Sequence, residues 1–290
     1  MKARCSPRRP ARAGPASRNF GYAREVGEVA LVGVPWDEHS SFLRGAAGAP
    51  PLIRAAMRSP ASNLSTESGL DLGTDSRFKD AGDLEVPAGP GGFAAIEQGI
   101  ATIVATGARV LALGGDHAIS YPVVRAQAAR HPGLTLVHFD AHPDLYDEFE
   151  GDRLSHACPF ARIMEEKLVS RLVQIGIRTL NAPQRTQVER FGVELVEMKD
   201  FRSDLVVNAA GPVYVSVDLD GLDPSVAPGV AHPEPGGLST RDLIGVVQRL
   251  RGRIVGADVV ELNPARDLGG LTAAVAAKIA KELAARMLVD

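Results

Sequence analysis

The feature that most constrains this chain is a set of short, continuous apolar runs separated by amphipathic stretches. The runs are Glu28–Val34, Arg109–Gly115, Leu134–Asp140, Arg171–Arg178, Val193–Met198, Val213–Asp220 and Ile254–Leu262. They are rich in Val, Leu and Ile and lack strict apolar/polar alternation, as strands need when the sheet is covered on both faces. Helical periodicity fills the gaps, at Phe93–Thr106, Ser120–Arg130, Thr240–Leu250 and Leu271–Leu288. Strand–helix–strand alternation predicts an α/β fold: a single-domain, three-layer αβα sandwich with a mainly parallel sheet. No internal repeat and no Pro, Gly or Ser-rich linker divides the body.

Composition narrows the partners. A net charge of −3 over 290 residues, with no basic block in the body, argues against nucleic acid. Apolar runs are broken well before the length of a membrane span. Two cysteines, Cys5 and Cys158, make no disulfide framework, in keeping with a cytoplasmic setting. The first 24 residues differ from the rest, with Lys2, Arg4, Arg8, Arg9, Arg12, Arg18 and Arg24 and no acid before Glu25. They are read as a disordered basic tail, with an organelle transit peptide as the alternative, and residues 25–290 as the catalytic domain.

Ligands of parallel sheets bind beyond the carboxyl ends of the strands, so reactive side chains should follow the apolar runs. They do at three places: Gly114-Gly115-Asp116-His117, Asp140-Ala141-His142-Pro143-Asp144, and Ser216-Val217-Asp218-Leu219-Asp220-Gly221-Leu222-Asp223-Pro224. Alternate residues of an extended segment share a face, so Asp140, His142 and Asp144 can converge, as can Asp218 and Asp220. With His117, six ligands would enter one crevice. Carboxylates so crowded repel one another unless divalent cations compensate them. Oxygen and imidazole donors without thiolate favour hard ions, Mn²⁺ above all.

These three motifs, in this order, resemble the signatures of the ureohydrolase family, which includes arginase, agmatinase, guanidinobutyrase and formiminoglutamase. Gly33-Val34-Pro35, Ser155-His156-Ala157, Ala227–Val230 with Gly236–Ser239, and Val259–Pro264 add to the likeness. Asp140–Met164 is most similar to plant-type arginases. The resemblance implies two Mn²⁺ per subunit, one held by His117, Asp140, Asp144 and Asp218, the other by Asp140, His142, Asp218 and Asp220. It further implies that Asp144 orients the attacking water, that Glu261 pairs with a substrate guanidinium, and that His156 carries a proton to the leaving amine. A homo-oligomer, trimer or hexamer, is expected on the same ground.

Substrate choice rests on finer features. Thr179, Asn181 and Gln184 stand where animal-type arginases carry acids for the α-amine. The loop from Asp144 to His156 holds Asp147, Glu148, Glu150 and Asp152 against one basic residue, Arg153. Negative charge near a substrate carboxylate is unfavourable, so agmatine is expected to be cleaved to putrescine and urea. Arginine is the alternative, then guanidinobutyrate, and a non-catalytic regulatory protein is a further one. Formiminoglutamase would want more cationic groups here, and single-zinc deacetylases would not need His117, Asp144 and Asp220 together. Asp152, Asn181, His232 and Glu261 are expected to touch substrate; His39, Trp36 and Phe42 are considered as pocket neighbours, and His138 as a buried structural histidine.

Overall fold

The computed structural model describes residues 27–290; the basic tail and the expected boundary at residue 25 lie outside them. Eight strands form one sheet: β1 Val29–Gly33, β2 Phe78–Asp83, β3 Arg109–Leu113, β4 Thr135–Phe139, β5 Arg171–Ile177, β6 Glu194–Glu197, β7 Asn208–Asp218 and β8 Arg251–Val260. Their order is β2-β1-β3-β8-β7-β4-β5-β6, and every pairing is parallel. Helices α1 Ala49–Met57, α6 Thr240–Arg249 and α7 Leu271–Val289 lie on one side; α2 Gly92–Ala105, α3 Ser120–Ala128, α4 Pro159–Glu165 and α5 Ala182–Phe191 accompany the other.

Burial on both faces explains the continuous apolar runs. Val137 and Phe139 of β4 join the core under α1, α6 and α7, while Leu136 enters the opposite core with Ile96, Ile100 and Phe160. The expected parallel sandwich is therefore present. Strand β2 escaped the sequence reading because Phe-Lys-Asp-Ala-Gly-Asp is an exposed edge strand with no apolar run to show. Charge on an edge discourages pairing with other chains. The polar α5 and the short α1 and α4 were likewise missed.

Local capping is built in. Ser239 and Asp242 form a reciprocal capping box at the start of α6. The Asp223 carboxylate accepts from the backbone N–H groups of Ser225 (3.0 Å), Gly236 (2.8 Å) and Gly237 (3.2 Å), which pins the loop between β7 and α6. Hydrogen bonds from the Ser225 side chain and from the Ser225, Gly236 and Gly237 N–H groups hold Asp223 down at about 2, and hydrogen bonds from Arg77 hold Asp75 down at about 2, against an ordinary 3.8. Folded values below unfolded ones mean stabilisation that is complete above pH 4 and lost as pH falls toward 2. The melting temperature is accordingly expected to drop steeply between pH 4 and 2, with a shallower drop in Asp223→Asn. An unchanged slope in that variant would remove Asp223 from the account.

Candidate metal centre

The four central strands β3, β8, β7 and β4 are neighbours, and each ends at the same crevice. His117 follows β3 on a 3₁₀ turn capped by Asp116, whose carboxylate accepts from Ala118 N–H at 3.1 Å. Asp140, His142 and Asp144 follow β4, Asp218 closes β7 with Asp220 on the next turn, and Glu261 follows β8. Asp144 (φ 49°) and Glu261 (φ 66°) have left-handed backbones. Side chains other than Gly seldom adopt that conformation, and it aims these two into the crevice.

Glycines allow the elements to close up. A Cβ on Gly115 would collide with the carbonyl oxygen of Trp36, and one on Gly221 would lie 2.8 Å from Asp140 N. The Gly-Gly-Asp-His and Asp-x-Asp-Gly motifs therefore need glycine for backbone contact. Beneath the β7 turn, Arg178 donates to the carbonyls of Asp220 (2.7 Å), Gly221 (3.2 Å) and Leu222 (3.3 Å), and to Glu234 O.

Two ligand-like clusters result. His117 Nδ1 faces Asp140 Oδ2 at 3.2 Å, Asp144 Oδ2 at 3.1 Å and Asp218 Oδ2 at 3.0 Å. His142 Nδ1 faces Asp140 Oδ1 at 3.4 Å and Asp220 Oδ2 at 3.1 Å. All six expected ligands thus converge, with Asp140 common to both clusters; Asp218 belongs to the first only. His138 lies beneath, buried, with Nε2 2.8 Å from Asp140 Oδ2 and Nδ1 3.0 Å from Gln174 Nε2. With His117 and Asp140 it also forms a third ligand-like group, so its place allows a ligand's role as well as the structural one expected.

The donor set fits divalent ions. His117 Nδ1 is fully buried and makes no hydrogen bond, although three carboxylate oxygens surround it. The proton on its Nε2 follows from counting donors. The hydroxyls of Ser216 (2.6 Å), Tyr214 (2.7 Å) and Ser120 (2.9 Å) all donate to the buried Asp258 carboxylate. Ser216 Oγ, its one proton spent, accepts from His117 Nε2 at 3.0 Å. A ring carrying only that Nε2 proton offers its Nδ1 lone pair to a metal, whereas without a cation Asp140, Asp144 and Asp218, despite burial, raise His117 well above its ordinary value. Protein charge tells the same story. Burial and mutual repulsion raise Asp218 well above its ordinary value and Asp220 to about 7, while Asp220 and Asp140 drive His142, despite burial, up to about 12. Cations would relieve both distortions.

A cavity of about 240 Å³ opens beside the clusters, and Asp144, His142, His156, Asn181, His232 and Glu261 line it. Glu261 Oε1 accepts from His117 N–H (2.8 Å) and lies 2.8 Å from His156 Nδ1, whose other nitrogen is 2.9 Å from Ser41 Oγ. Despite burial, Glu261 raises His156 to about 9, so the ring carries a proton at neutral pH. Asn181 caps α5 through Gln184 N–H and donates to Tyr146 Oη. Asp152 is not among the lining residues. Its carboxylate is 2.5 Å from His39 Nδ1 and accepts from Leu154 N–H at 2.8 Å. Trp36 is buried edge-on against Phe93, whereas the exposed Phe42 ring sits 5.5 Å from that of His232.

Sequence reasoning missed Asp258, Tyr214, Ser41 and Arg178 as parts of the site. Asp258 had a signal, a carboxylate that together with Glu261 interrupts the apolar run Ile254–Leu262. A buried charge there demands partners.

The parallel αβα sheet, with a carboxylate–imidazole crevice beyond its central strands, defines a metal-dependent hydrolase. The model of the arginase family matches residues 27–285. The chain belongs to that family, and is a ureohydrolase acting on the guanidino C–N bond, in a family of binuclear manganese enzymes. It is 45% identical to "Arginase, mitochondrial" of Medicago truncatula over 286 residues, 91% of this chain and 84% of that one. It is 38% identical to guanidinopropionase of Pseudomonas aeruginosa, over 88% and 85% of the two chains. The Medicago truncatula arginase structure superposes with a TM-score of 0.85 at 44% identity, covering 90% and 88%. A hypothetical agmatinase from Burkholderia thailandensis gives 0.80 at 32%, covering 90% and 86%.

Proposed function

We propose that this ureohydrolase is an arginase, cleaving arginine to ornithine and urea, rather than the agmatinase expected from loop charge. The observation that carries this is the state of the loop acids. Asp152 is engaged by His39, and Asp147 by Arg153 (2.7 Å) and Arg162 (3.0 Å), so neither carboxylate is turned against a substrate carboxylate. The cavity instead offers the neutral Thr179, Asn181 and Gln184. The 45% identity with a plant arginase supports the same choice.

His117, Asp140, Asp144 and Asp218 would hold one Mn²⁺ and Asp140, His142 and Asp220 the other, with Asp218 assigned to the second as well on family likeness alone. The chemistry supplied by bound manganese is Lewis acidity, which makes water nucleophilic at neutral pH. The protein does the rest. Asp144, on its left-handed backbone, orients the water toward the guanidinium carbon. Glu261 keeps Oε2 for the planar guanidinium, because Oε1 is taken by His117 N–H and His156. His156 donates its proton to the departing nitrogen as the C–N bond breaks, releasing urea and the amine.

Urea release from the manganese-loaded protein tests this, with arginine, agmatine and 4-guanidinobutyrate compared side by side. Arginine is expected to lead at least tenfold in kcat/KM; a lead for agmatine restores the loop-charge reading. Asp152→Asn is expected to leave the arginine-to-agmatine ratio within about twofold, since that carboxylate is already hydrogen-bonded to His39. A shift toward arginine beyond that range would show that Asp152 is felt by the substrate.

The Asp258 network makes a separate prediction. Asp258→Asn supplies an N–H where three hydroxyls donate, so Ser216 must turn and compete for Nε2 of His117. Manganese affinity is expected to fall roughly 10–100-fold, read as metal retained after dialysis. Retention equal to wild type would break the proton count.

A homo-oligomer remains our proposal on family likeness. The arginine-rich start and the mitochondrial names of plant relatives favour an organelle address over the cytoplasm. The location of residues 1–26 fused to a fluorescent protein tests it.

A further inference from the structure

At the opposite pole of the sheet from the metal centre, the amino ends of β3 and β8 meet the carboxyl ends of α2 and α3. Arg109 opens β3, Arg253 lies early in β8, and Arg130 and His131 follow α3. Two adjoining cavities, of about 410 and 210 Å³, are both lined by Arg109, Arg130 and Arg253. Arg109 is 6% exposed, and its guanidinium donates to the carbonyl of Met287. Among the described residues no carboxylate forms an ion pair with any of the three arginines. The nearby acids are committed elsewhere, Glu28 to Lys79 (2.6 Å) and Asp290 to Arg286 (2.9 Å). Burial and the neighbouring arginines push His131 below its ordinary value, as an uncompensated positive pocket should.

A nearly buried guanidinium among like charges is costly without a counter-charge. Its planar fork matches two oxygens of a carboxylate or tetrahedral oxyanion. We propose that Arg109, Arg130 and Arg253 form a seat for one oxyanion, clamping the amino ends of the two strands that terminate at His117 and Glu261. The anion has two possible sources. One is a small free species of the phosphate or sulfate type. The other is Glu25, the first acid of the chain and two residues before Gly27, which lines the larger cavity.

The test is calorimetric titration of sodium sulfate into the manganese-loaded protein at matched chloride ionic strength. One sulfate per chain is expected, with affinity falling roughly tenfold or more in Arg253→Gln and in Arg130→Gln, while urea release shows both variants folded. Arg130 and Arg253 are exposed, so their loss should not prevent folding. If wild type binds no sulfate but Glu25→Gln binds one, dependent on Arg253, the seat stands and Glu25 is its resident anion. Absence of saturable binding in both wild type and Glu25→Gln, or equal binding after either arginine is replaced, overturns the proposal.

Discussion

Asp140→Ala is expected to bind at most one manganese per chain and to release urea on the order of 10³-fold more slowly than wild type. Asp140 alone belongs to both ligand clusters, with Oδ2 near His117 and Oδ1 near His142. Its removal also strands neighbours. His138 Nε2 loses its 2.8 Å partner, and His142 N–H loses its 2.6 Å acceptor. The folded state should survive, because the crowded acids Asp218 and Asp220 are raised partly by Asp140 and gain when it goes. Metal content and turnover must be measured on the same sample with a folding control. A variant with two manganese ions and full turnover would sink the ligand assignment.

Gly115→Ala should be the most damaging single methyl group at this end of the sheet. Its Cβ would be driven into the Trp36 carbonyl oxygen, which already accepts from Asp116 N–H at 3.1 Å. Gly115 itself donates to Val34 O (3.0 Å) and accepts from Glu261 N–H (2.9 Å), so no side chain can give way. Relief requires moving backbone, at a cost of about 3 kcal/mol or more. That corresponds to a melting point lower by on the order of 10 °C. Displacement would reach His117 and Glu261 as well, so turnover should fall even below the melting range. A melting point within 2 °C of wild type would contradict the collision.

What could be read without coordinates follows from what each residue needs. Strands buried on both faces announce themselves as apolar runs, so seven of the eight strands were visible and only the charged edge β2 was not. The metal-centre motifs were visible because their spacing lies within single strand ends. Arg178 was not, since it acts on carbonyls that a distant turn brings to it. The partner of Asp152 was hidden for the same reason. That partner, His39, is 113 positions away, and in the same loop Asp147 is neutralised by Arg153 and Arg162. Glu261 and His156 were identified by resemblance, while their mutual contact and the Ser41 link emerged only from the fold.

The position of β8 carries a consequence for how the chain is made. It is the last strand in sequence, yet it lies between β3 and β7 at the middle of the sheet. During synthesis the β2-β1-β3 and β7-β4-β5-β6 portions cannot be joined until about residue 260 has emerged, and any pairing before then would leave each with an open edge. Parallel pairings of such long range are slow to form and exposed to aggregation while they wait. Since β8 delivers Glu261, and its flanking strands lead to His117 and Asp218, the nascent chain has no complete catalytic crevice until this final wedge is driven home.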